Sequence, residues 1–270
     1  MEVVSRHPQE TGDHPPNRPH LLFIHGACHN AACWDQYYLP WFSSEGWHAH
    51  AITLRGHRSD DEGVLEWSLN DYLDDVNEAI AHINQPVVLI GHSMGGVLAQ
   101  MAFASNVNVK AIALLASSPT RISLQAAFGM FVRAPKATII GMLSNDMTKL
   151  RVAMETFFFA DHLEDALRDK FRSQLVSESR VAVDDVFSRE PAKHPKSDDR
   201  PVLVIAGTDD WSIPLSEHRK DSETYRTPLK LCKGAHDLML DPDWSDSATA
   251  INNWLLKHID EEGVNTLSTK

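Results

Sequence analysis

The stretch VVLIGHSMGGVLAQ, residues 87–100, constrains this chain more than any other feature of its sequence. Three glycines surround one serine. Glycine loses the most backbone freedom on folding, so this grouping indicates a backbone shape that other residues cannot adopt. The aliphatic run predicts a buried strand ending at Gly91, and the residues from Gly95 onward predict a helix. So rapid a reversal requires a very tight turn, with Ser93 at its apex in a strained conformation.

This turn places the Ser93 hydroxyl in a reactive position. The strain lifts the hydroxyl into the crevice above the sheet, and the start of the helix offers free backbone N–H groups that stabilise a developing oxyanion. A serine hydroxyl is a poor nucleophile without a base. His236 is the best candidate, because it follows a predicted strand and Gly234 on a loop before the last helix. The adjacent His92 is expected to point away from the apex.

The base needs an acid that orients its ring and stabilises its cation. Asp209 and Asp210 follow the strand-like run VLVIAG, although paired acids at such a place are also common turn formers. The chain order Ser93, Asp210, His236 matches one known order of a serine, aspartate and histidine triad. The sequence therefore predicts Ser93, Asp210 and His236 as catalytic residues.

Strand-like and helix-like segments alternate along most of the chain. This alternation predicts an α/β fold with a mostly parallel, doubly wound sheet. Between residues 119 and 199 helical patterns dominate, so we expect a helical cap inserted into a core formed by residues 1–118 and 200–270. The predicted strands include HLLFIHG, HAHAITLRG, PVVLIG, VKAIALLASS, RPVLVIAG and PLKLC, with Val3 and Val4 in a short edge strand.

Two helix predictions depend on local detail. The segment WDQYYLPWFSSEG predicts one helix that ends near Gly46. The segment SLNDYLDDVNEAIAHI has apolar residues at helical spacing, and either Ser68 or Asn70 caps its start. The last ten residues predict a frayed tail.

Composition excludes several classes of function. Acidic residues outnumber basic ones, 37 to 25, and the formal charge of −12 argues against nucleic acid or an anionic membrane as a main partner. The three cysteines, Cys28, Cys33 and Cys232, fit neither a disulfide framework nor a zinc site. The N-terminal segment has no apolar core of signal-sequence length, and no apolar run approaches the length of a membrane span. We therefore expect a cytoplasmic protein without metal, cofactor or membrane insertion.

Four motifs in order resemble those of the α/β-hydrolase superfamily, and nearly the whole chain takes part in the resemblance. HGA resembles the oxyanion loop, GHSMGG the nucleophile elbow, GTDDWSIP the acid segment Gly-x-x-Asp-x-x-x-Pro, and GAHDLMLDP the histidine loop. The acid segment selects Asp210 over Asp209. The resemblance implies an oxyanion hole made by the backbone N–H groups of Ala27 and Met94. It also implies that His25 and Gly26 shape this loop around the substrate, with His25 bracing the loop rather than transferring protons.

The chain departs from the superfamily pattern in two places. TLRGHRSD resembles the turn Asp-x-Arg-Gly-His-Gly-x-Ser, but Thr53 stands where aspartate is usual and Arg58 replaces glycine. The N-terminal part is also short for the first hairpin of the superfamily. We therefore expect a sheet that is trimmed at this edge.

The resemblance also narrows the reaction. Serine at the apex argues against haloalkane dehalogenases and epoxide hydrolases, which carry aspartate there. We expect a serine esterase that cleaves medium-chain or small apolar acyl monoesters, as small carboxylesterases and monoacylglycerol lipases do. HGACHNAACW is similar to the pattern HGACHGAWCW of plant methyl-ester esterases and hydroxynitrile lyases. The substrate-binding residues we predict are Phe128, Phe131, Phe158 and Trp211, together with His25 and Gly26.

Two other functions stay open from the sequence. A cofactor-free lyase or C–C hydrolase uses the same triad, and a ligand-binding receptor of the same fold turns over little. Alternatively, the phenylalanines of the cap simply form its hydrophobic core and line no pocket. The expected partner is a small-molecule ester, and a homodimer is left open.

Overall fold

A seven-stranded sheet forms the centre of the molecule, in the order β1-β3-β2-β4-β5-β6-β7. The computed structural model describes residues 2–9, 18–58, 66–119, 131–143, 155–190, 194 and 197–260. The strands are β1 (Glu2–Arg6), β2 (His20–Ile24), β3 (Ala49–Thr53), β4 (Val87–His92), β5 (Val109–Leu115), β6 (Val202–Gly207) and β7 (Leu229–Cys232).

Strands β2 to β7 pair in parallel, which confirms the predicted fold class. Strand β1 pairs antiparallel with β3, with Val3 opposite Ile52 and Val4 opposite Ala51. The predicted edge strand at Val3 and Val4 is therefore confirmed. A single antiparallel strand occupies the edge where the resemblance predicts a trimmed hairpin.

Helices cover both faces of this sheet. They are α1 (Ala32–Asp35), α2 (Tyr38–Ser44), α3 (Leu69–Ile83), α4 (Met94–Ser105), α5 (Pro135–Leu143), α6 (Asp165–Gln174), α7 (Arg180–Ser188), α8 (Leu215–Tyr225) and α9 (Trp244–Leu255), which a π-helical turn (Leu256–Asp260) extends. None of the described helices is long and apolar enough to cross a membrane.

The prediction of one helix over WDQYYLPWFSSEG was wrong, because the segment forms two short helices, α1 and α2. Pro40 explains the interruption. In a continuous helix it would donate no hydrogen bond to the carbonyl of Gln36, and its ring would clash with that carbonyl. Because Pro40 instead lies in the first turn of α2, its missing N–H is tolerated. The chain leaves α2 through Gly46, whose φ is 85°.

Two apolar layers sandwich the sheet, because neighbouring residues of a strand point to opposite faces. In β2, Leu21 and Phe23 pack into one layer with Trp34, while Leu22 and Ile24 pack into the other. All five residues are completely buried. The burial of both faces explains why the strands have near-continuous apolar sequences rather than an alternating pattern.

Helix α3 begins at Leu69, and the hydrogen bonds at its start identify the residue that caps it. The Ser68 hydroxyl accepts a hydrogen bond from the backbone N–H of Asp71 at 3.2 Å, and the Asp71 carboxylate accepts from the N–H of Ser68 at 2.8 Å. This reciprocal pair is a capping box, so Ser68 and not Asn70 is the cap.

The segment between β5 and β6, residues 116–201, is called the β5–β6 connection below. Its described residues include helices α5, α6 and α7 and no strand. In α6 and the residues that flank it, Leu163, Phe171 and Leu175 are buried. Phe128 lies outside the described residues, as does the tail after residue 260.

Candidate active site

The turn between β4 and α4 consists of one residue, Ser93. Its φ and ψ are 51° and −118°, a conformation that costs free energy for a residue with a side chain. The glycines make this turn possible. A Cβ atom on Gly95 would meet the carbonyl oxygens of Ile24 and His25, and one on Gly91 would meet the backbone of Gly95. The glycine spacing therefore reflects close backbone packing around the serine.

The structure brings the three predicted catalytic side chains into one hydrogen-bonded chain. The Ser93 Oγ lies 3.1 Å from His236 Nε2, and His236 Nδ1 lies 2.8 Å from Asp210 Oδ2. The other carboxylate oxygen of Asp210 accepts from the Ser212 hydroxyl at 2.6 Å and from the backbone N–H groups of Ser212 and Ile213. Asp209 is exposed instead, so the geometry selects the same aspartate as the motif.

The charges within this hydrogen-bonded triplet set the protonation of Asp210 and of His236. Burial opposes ionisation of Asp210, but the facing His236 and the hydrogen bonds lower the pKa of this carboxyl to about 2. Burial likewise opposes a charged His236, yet Asp210, followed by Asp237, raises the pKa of that ring above its usual value. Because the Asp210 carboxylate only accepts, Nδ1 of His236 carries the proton and Nε2 faces the Ser93 hydroxyl.

His92 lies below the histidine loop. Its Nε2 donates to the backbone carbonyl of His236 at 3.1 Å, which agrees with the expectation that it points away from the apex. Burial, reinforced by the neighbouring His236, lowers the pKa of His92 to about 3. His92 therefore supports the loop as a neutral ring.

The loop after β2 carries the predicted oxyanion donor Ala27. Within the described part of the chain, neither the N–H of Ala27 nor that of Met94 donates a hydrogen bond to another residue. A Cβ atom on Gly26 would come within 2.8 Å of His92 Nδ1 and 2.9 Å of Ser93 Cβ. Glycine at this position lets the loop approach the serine closely.

The ring of His25, one of the predicted substrate-binding residues, is bonded to backbone groups on both sides. Its side chain is completely buried, its Nε2 accepts from the N–H of Leu54 at 3.1 Å, and its Nδ1 donates to the carbonyl of Gly26 at 2.8 Å. Both ring nitrogens are therefore committed to backbone groups. These contacts agree with the expectation that His25 braces the loop, and its part in substrate binding stays a prediction.

The predicted pocket residues have different positions. Phe158 is buried, and its ring lies 5.0 Å from that of His29 and 6.2 Å from that of His236. Phe131 is 48% exposed. Trp211 and Asp210 border a cavity of about 470 Å³ whose other lining residues are Arg133, Phe159, Ala160, Asp161, His162, Thr208, Asp209 and Ala235.

Sequence reasoning missed two groups, Ser118 beside the serine and Asp237 next to the base in the chain. The Ser118 Oγ lies 3.1 Å from the Ser93 Oγ, and the N–H of Ser118 donates to the carbonyl of Ser93. Asp237, directly after His236, is buried with its Oδ2 3.0 Å from His29 Nε2. Ser118 follows β5 closely, so its place at the carboxyl edge of the sheet was a usable signal. Nothing in the spacing pairs Asp237 with His29.

Among the described residues, two sets bring three metal-ligating atoms near one another: His92, His236 and Asp237, and His162, Asp241 and Asp243. The first set includes His236, whose two ring nitrogens already face Ser93 and Asp210. A metal there would displace those contacts. The chemistry available to the site as built is proton transfer and nucleophilic attack by a hydroxyl.

A family model described as "Alpha/beta hydrolase family" matches residues 21–245, which include all the elements that carry this site. The chain belongs to the alpha/beta hydrolase family. Among curated proteins, this alpha/beta hydrolase is 34% identical to methylesterase 10 of Arabidopsis thaliana over 96 residues, 33% of this chain and 34% of that protein. It is 32% identical to protein phosphatase methylesterase 1 of Bos taurus over 93 residues, 33% of this chain and 24% of that protein.

Among solved structures, the alpha/beta hydrolase described here is similar to a carboxylesterase of Nitrososphaera gargenis. The TM-score is 0.68 at 18% identity, with 97% of this chain and 95% of the other covered. This likeness shows the fold. The curated relatives, by contrast, are matched over about a third of their length or less.

Proposed function

We propose that this alpha/beta hydrolase cleaves carboxylic esters, with Ser93 as nucleophile, His236 as general base and Asp210 as the group that orients the base. One observation carries the proposal: the hydrogen-bonded chain Ser93–His236–Asp210, with distances of 3.1 and 2.8 Å, begins at a strained strand-to-helix turn. Hydroxyl, ring and carboxylate are thus aligned before a substrate arrives.

In the first half-reaction, the Ser93 Oγ attacks the ester carbonyl carbon while its proton passes to His236 Nε2. The carbonyl oxygen becomes an oxyanion, which accepts hydrogen bonds from the N–H groups of Ala27 and Met94. The C–O bond to the alcohol then breaks, and His236 returns its proton to the leaving oxygen. The products are a free alcohol and an acyl ester on Ser93.

In the second half-reaction, water replaces the alcohol. His236 Nε2 takes a proton from the water, whose oxygen attacks the acyl carbon, and the same N–H groups hold the new oxyanion. The bond to Ser93 breaks and His236 returns the proton to the Ser93 oxygen. A carboxylic acid is released and the resting site is restored. The negative charge of Asp210 stabilises the imidazolium in both halves.

The β5–β6 connection serves as the cap over this site and selects the acyl group. Support comes from its described aromatic residues: Phe158 packs on His236, and Phe157 lies 5.1 Å from Trp211. An apolar wall of this kind favours small apolar or medium-chain acyl groups. The names of the curated relatives support a small alcohol such as methanol as the leaving group.

A series of p-nitrophenyl esters from acetate to palmitate, with matching methyl esters, tests the proposal. Ser93→Ala is expected to lower kcat by about 10³-fold or more, because no other group supplies the nucleophile. Ser105→Ala, at the exposed end of the same helix, is the control and should keep the wild-type rate. Equal rates in Ser93→Ala and wild type would refute the assignment. Cleavage of cyanohydrins without any ester turnover would favour a lyase instead.

A further inference from the structure

We propose that Glu178 is a positioning residue for the oxyanion loop: from the β5–β6 connection it fixes the peptide after Ala27 and so aims the Ala27 N–H at the reacting oxygen. This inference rests on the proposed function, because it presupposes that Ala27 supplies an oxyanion donor. Glu178 itself touches neither the serine nor the base in the proposed mechanism.

The Glu178 carboxylate is buried, 1% exposed, and each of its oxygens receives two hydrogen bonds. Oε2 accepts from the backbone N–H of Cys28 at 3.2 Å and from His57 Nε2 at 2.9 Å. Oε1 accepts from the Tyr72 hydroxyl at 2.9 Å and from the N–H of Ser179 at 2.7 Å. A buried carboxylate is stable only with such full pairing, so these donors hold its position.

His57 adds charge to this arrangement. Its Nδ1 faces the backbone carbonyl of Arg55 at 3.0 Å, and its Nε2 faces Glu178. Both partners are acceptors, so the geometry requires a proton on each ring nitrogen and makes His57 and Glu178 an ion pair. Burial opposes a charged Glu178, but His57 and the hydrogen bonds from Tyr72 and Ser179 together lower the pKa of the carboxyl below its usual value.

The β5–β6 connection forms hydrogen bonds with both the N–H and the carbonyl of Cys28. While Glu178 accepts from the N–H of Cys28, the N–H of Val176 donates to the carbonyl of Cys28 at 2.9 Å. Cys28 has a φ of 63°, in the region that a residue with a side chain adopts only when its surroundings hold it there. Residues 176 and 178 are thus part of what keeps the loop in its strained shape.

The direction of the Ala27 N–H follows from the two peptides that flank this residue, because each peptide is planar. In the peptide before Ala27, the Gly26 carbonyl accepts from His25 Nδ1. In the peptide after it, the Ala27 carbonyl accepts from His29 Nδ1 at 2.8 Å and the Cys28 N–H donates to Glu178. Of these fixing groups, only Glu178 comes from the β5–β6 connection. It therefore couples the position of the proposed cap to the oxyanion donor.

Glu178→Gln tests this role, because an amide cannot replace a carboxylate that receives four donors. Whichever way it turns, its NH₂ group faces a backbone N–H, that of Cys28 or that of Ser179, and loses this hydrogen bond, and the variant also lacks the charge that faces His57. We expect kcat for ester hydrolysis to fall about 10- to 100-fold, because small displacements of an oxyanion donor are costly. KM should stay within roughly threefold. Binding of a trifluoromethyl ketone, which forms an oxyanion on Ser93, should weaken by about the same factor as kcat/KM.

Two further variants complete the design. Glu164→Gln changes an exposed carboxylate of the same connection and should match wild type. Glu178→Asp keeps the charge but draws it back from Cys28 by one methylene, so it should lose kcat in the same direction; it decides the question if Glu178→Gln does not fold. Folded Glu178 variants with wild-type kcat and ketone binding would overturn the inference. If the proposed function itself fails, Ser93→Ala keeps full activity, and that outcome is distinct.

Discussion

At the scale of single residues, the site is a set of polar groups that burial forces into particular states. Asp210 is ionised despite its burial because His236, the Ser212 hydroxyl and two backbone N–H groups surround it. Its charge then raises the pKa of His236. In the proposed mechanism His236 must be neutral to accept a proton, so the charge of Asp210 sets both the strength of this base and the pH at which it works.

The pH dependence of kcat/KM is a direct consequence. In wild type the rate should fall as pH decreases through the raised pKa of His236, because the protonated ring accepts no proton. Asp210→Asn removes the largest contribution that raises this pKa, so the acid limb should move to lower pH. The plateau rate should also fall by about 10³- to 10⁴-fold, since the amide no longer fixes the ring tautomer.

Asp209→Asn is the matched control, since this neighbouring carboxylate is exposed. It should leave the limb in place. A profile whose acid limb is the same in Asp210→Asn and wild type would show that Asp210 does not set the pKa of the base.

Several of these residues could be predicted from the sequence for a physical reason. Ser93 sits among glycines that a tight turn requires, and Asp210 and His236 each follow a strand that ends at the same edge of a parallel sheet. The position of Glu178 could not be predicted from the sequence, because it contacts Cys28 across 150 positions of the chain. Its neighbours in the chain show no glycine, strand end or spacing that signals a buried carboxylate.

At the scale of secondary structure, local sequence predicts an element well when one interaction dominates. The strands are recognisable because both faces are buried. The break between α1 and α2 was missed because the apolar spacing of the segment suggests a continuous helix and only Pro40 opposes it. The sequence left two candidates for the residue that caps α3, Ser68 and Asn70, and the capping box with Asp71 identifies Ser68.

The cap of α3 gives a prediction at this scale. Ser68→Ala removes the acceptor of the Asp71 N–H and the hydroxyl that donates to the Asp71 carboxylate at 2.6 Å. The free energy of unfolding, measured with urea, should fall by about 1 kcal/mol. Asn70→Ala, two residues further along and exposed, should cost about 0.5 kcal/mol or less. A larger loss for Asn70→Ala than for Ser68→Ala would contradict the assignment of the cap.

At the scale of the whole molecule, four histidines meet at the end of the sheet opposite the candidate site. His20 Nδ1 lies 2.9 Å from His50 Nε2, His7 Nδ1 lies 2.9 Å from His48 Nδ1, and the rings of His20 and His48 stack at 4.5 Å. Burial, followed by the neighbouring histidines, lowers the pKa of His20 and of His50 to about 4. This cluster joins β1, β2 and β3.

The stability of the molecule should therefore depend on pH. The pKa values of His20 and His50 are lower in the folded chain than the usual 6.5, so the unfolded chain binds more protons between pH 6.5 and 4. The contribution of these neutral histidines to the free energy of unfolding should be fully present above pH 6.5 and should decrease as pH falls toward 4. For His20, which is partly exposed, the loss should be on the order of 1 kcal/mol after solvent screening.

Thermal unfolding of His20→Asn between pH 4 and 7 tests this linkage, because asparagine does not titrate. Its Tm should decline less steeply with acid than that of wild type. His162→Asn, an exposed residue outside the cluster, serves as the comparison. Parallel curves of Tm against pH for His20→Asn and wild type would show that His20 does not contribute to the pH dependence of stability.

The central claim is that the Ser93 oxygen is a nucleophile activated by His236. A fluorophosphonate probe measures this directly, since phosphorus bonds to an activated serine oxygen and fluoride leaves. Mass spectrometry with peptide fragmentation should find one adduct per chain, located on Ser93, and none in Ser93→Ala. Labelling should also fall in His236→Ala. A folded wild-type chain that resists the probe, or that carries the adduct on another residue, would contradict the account.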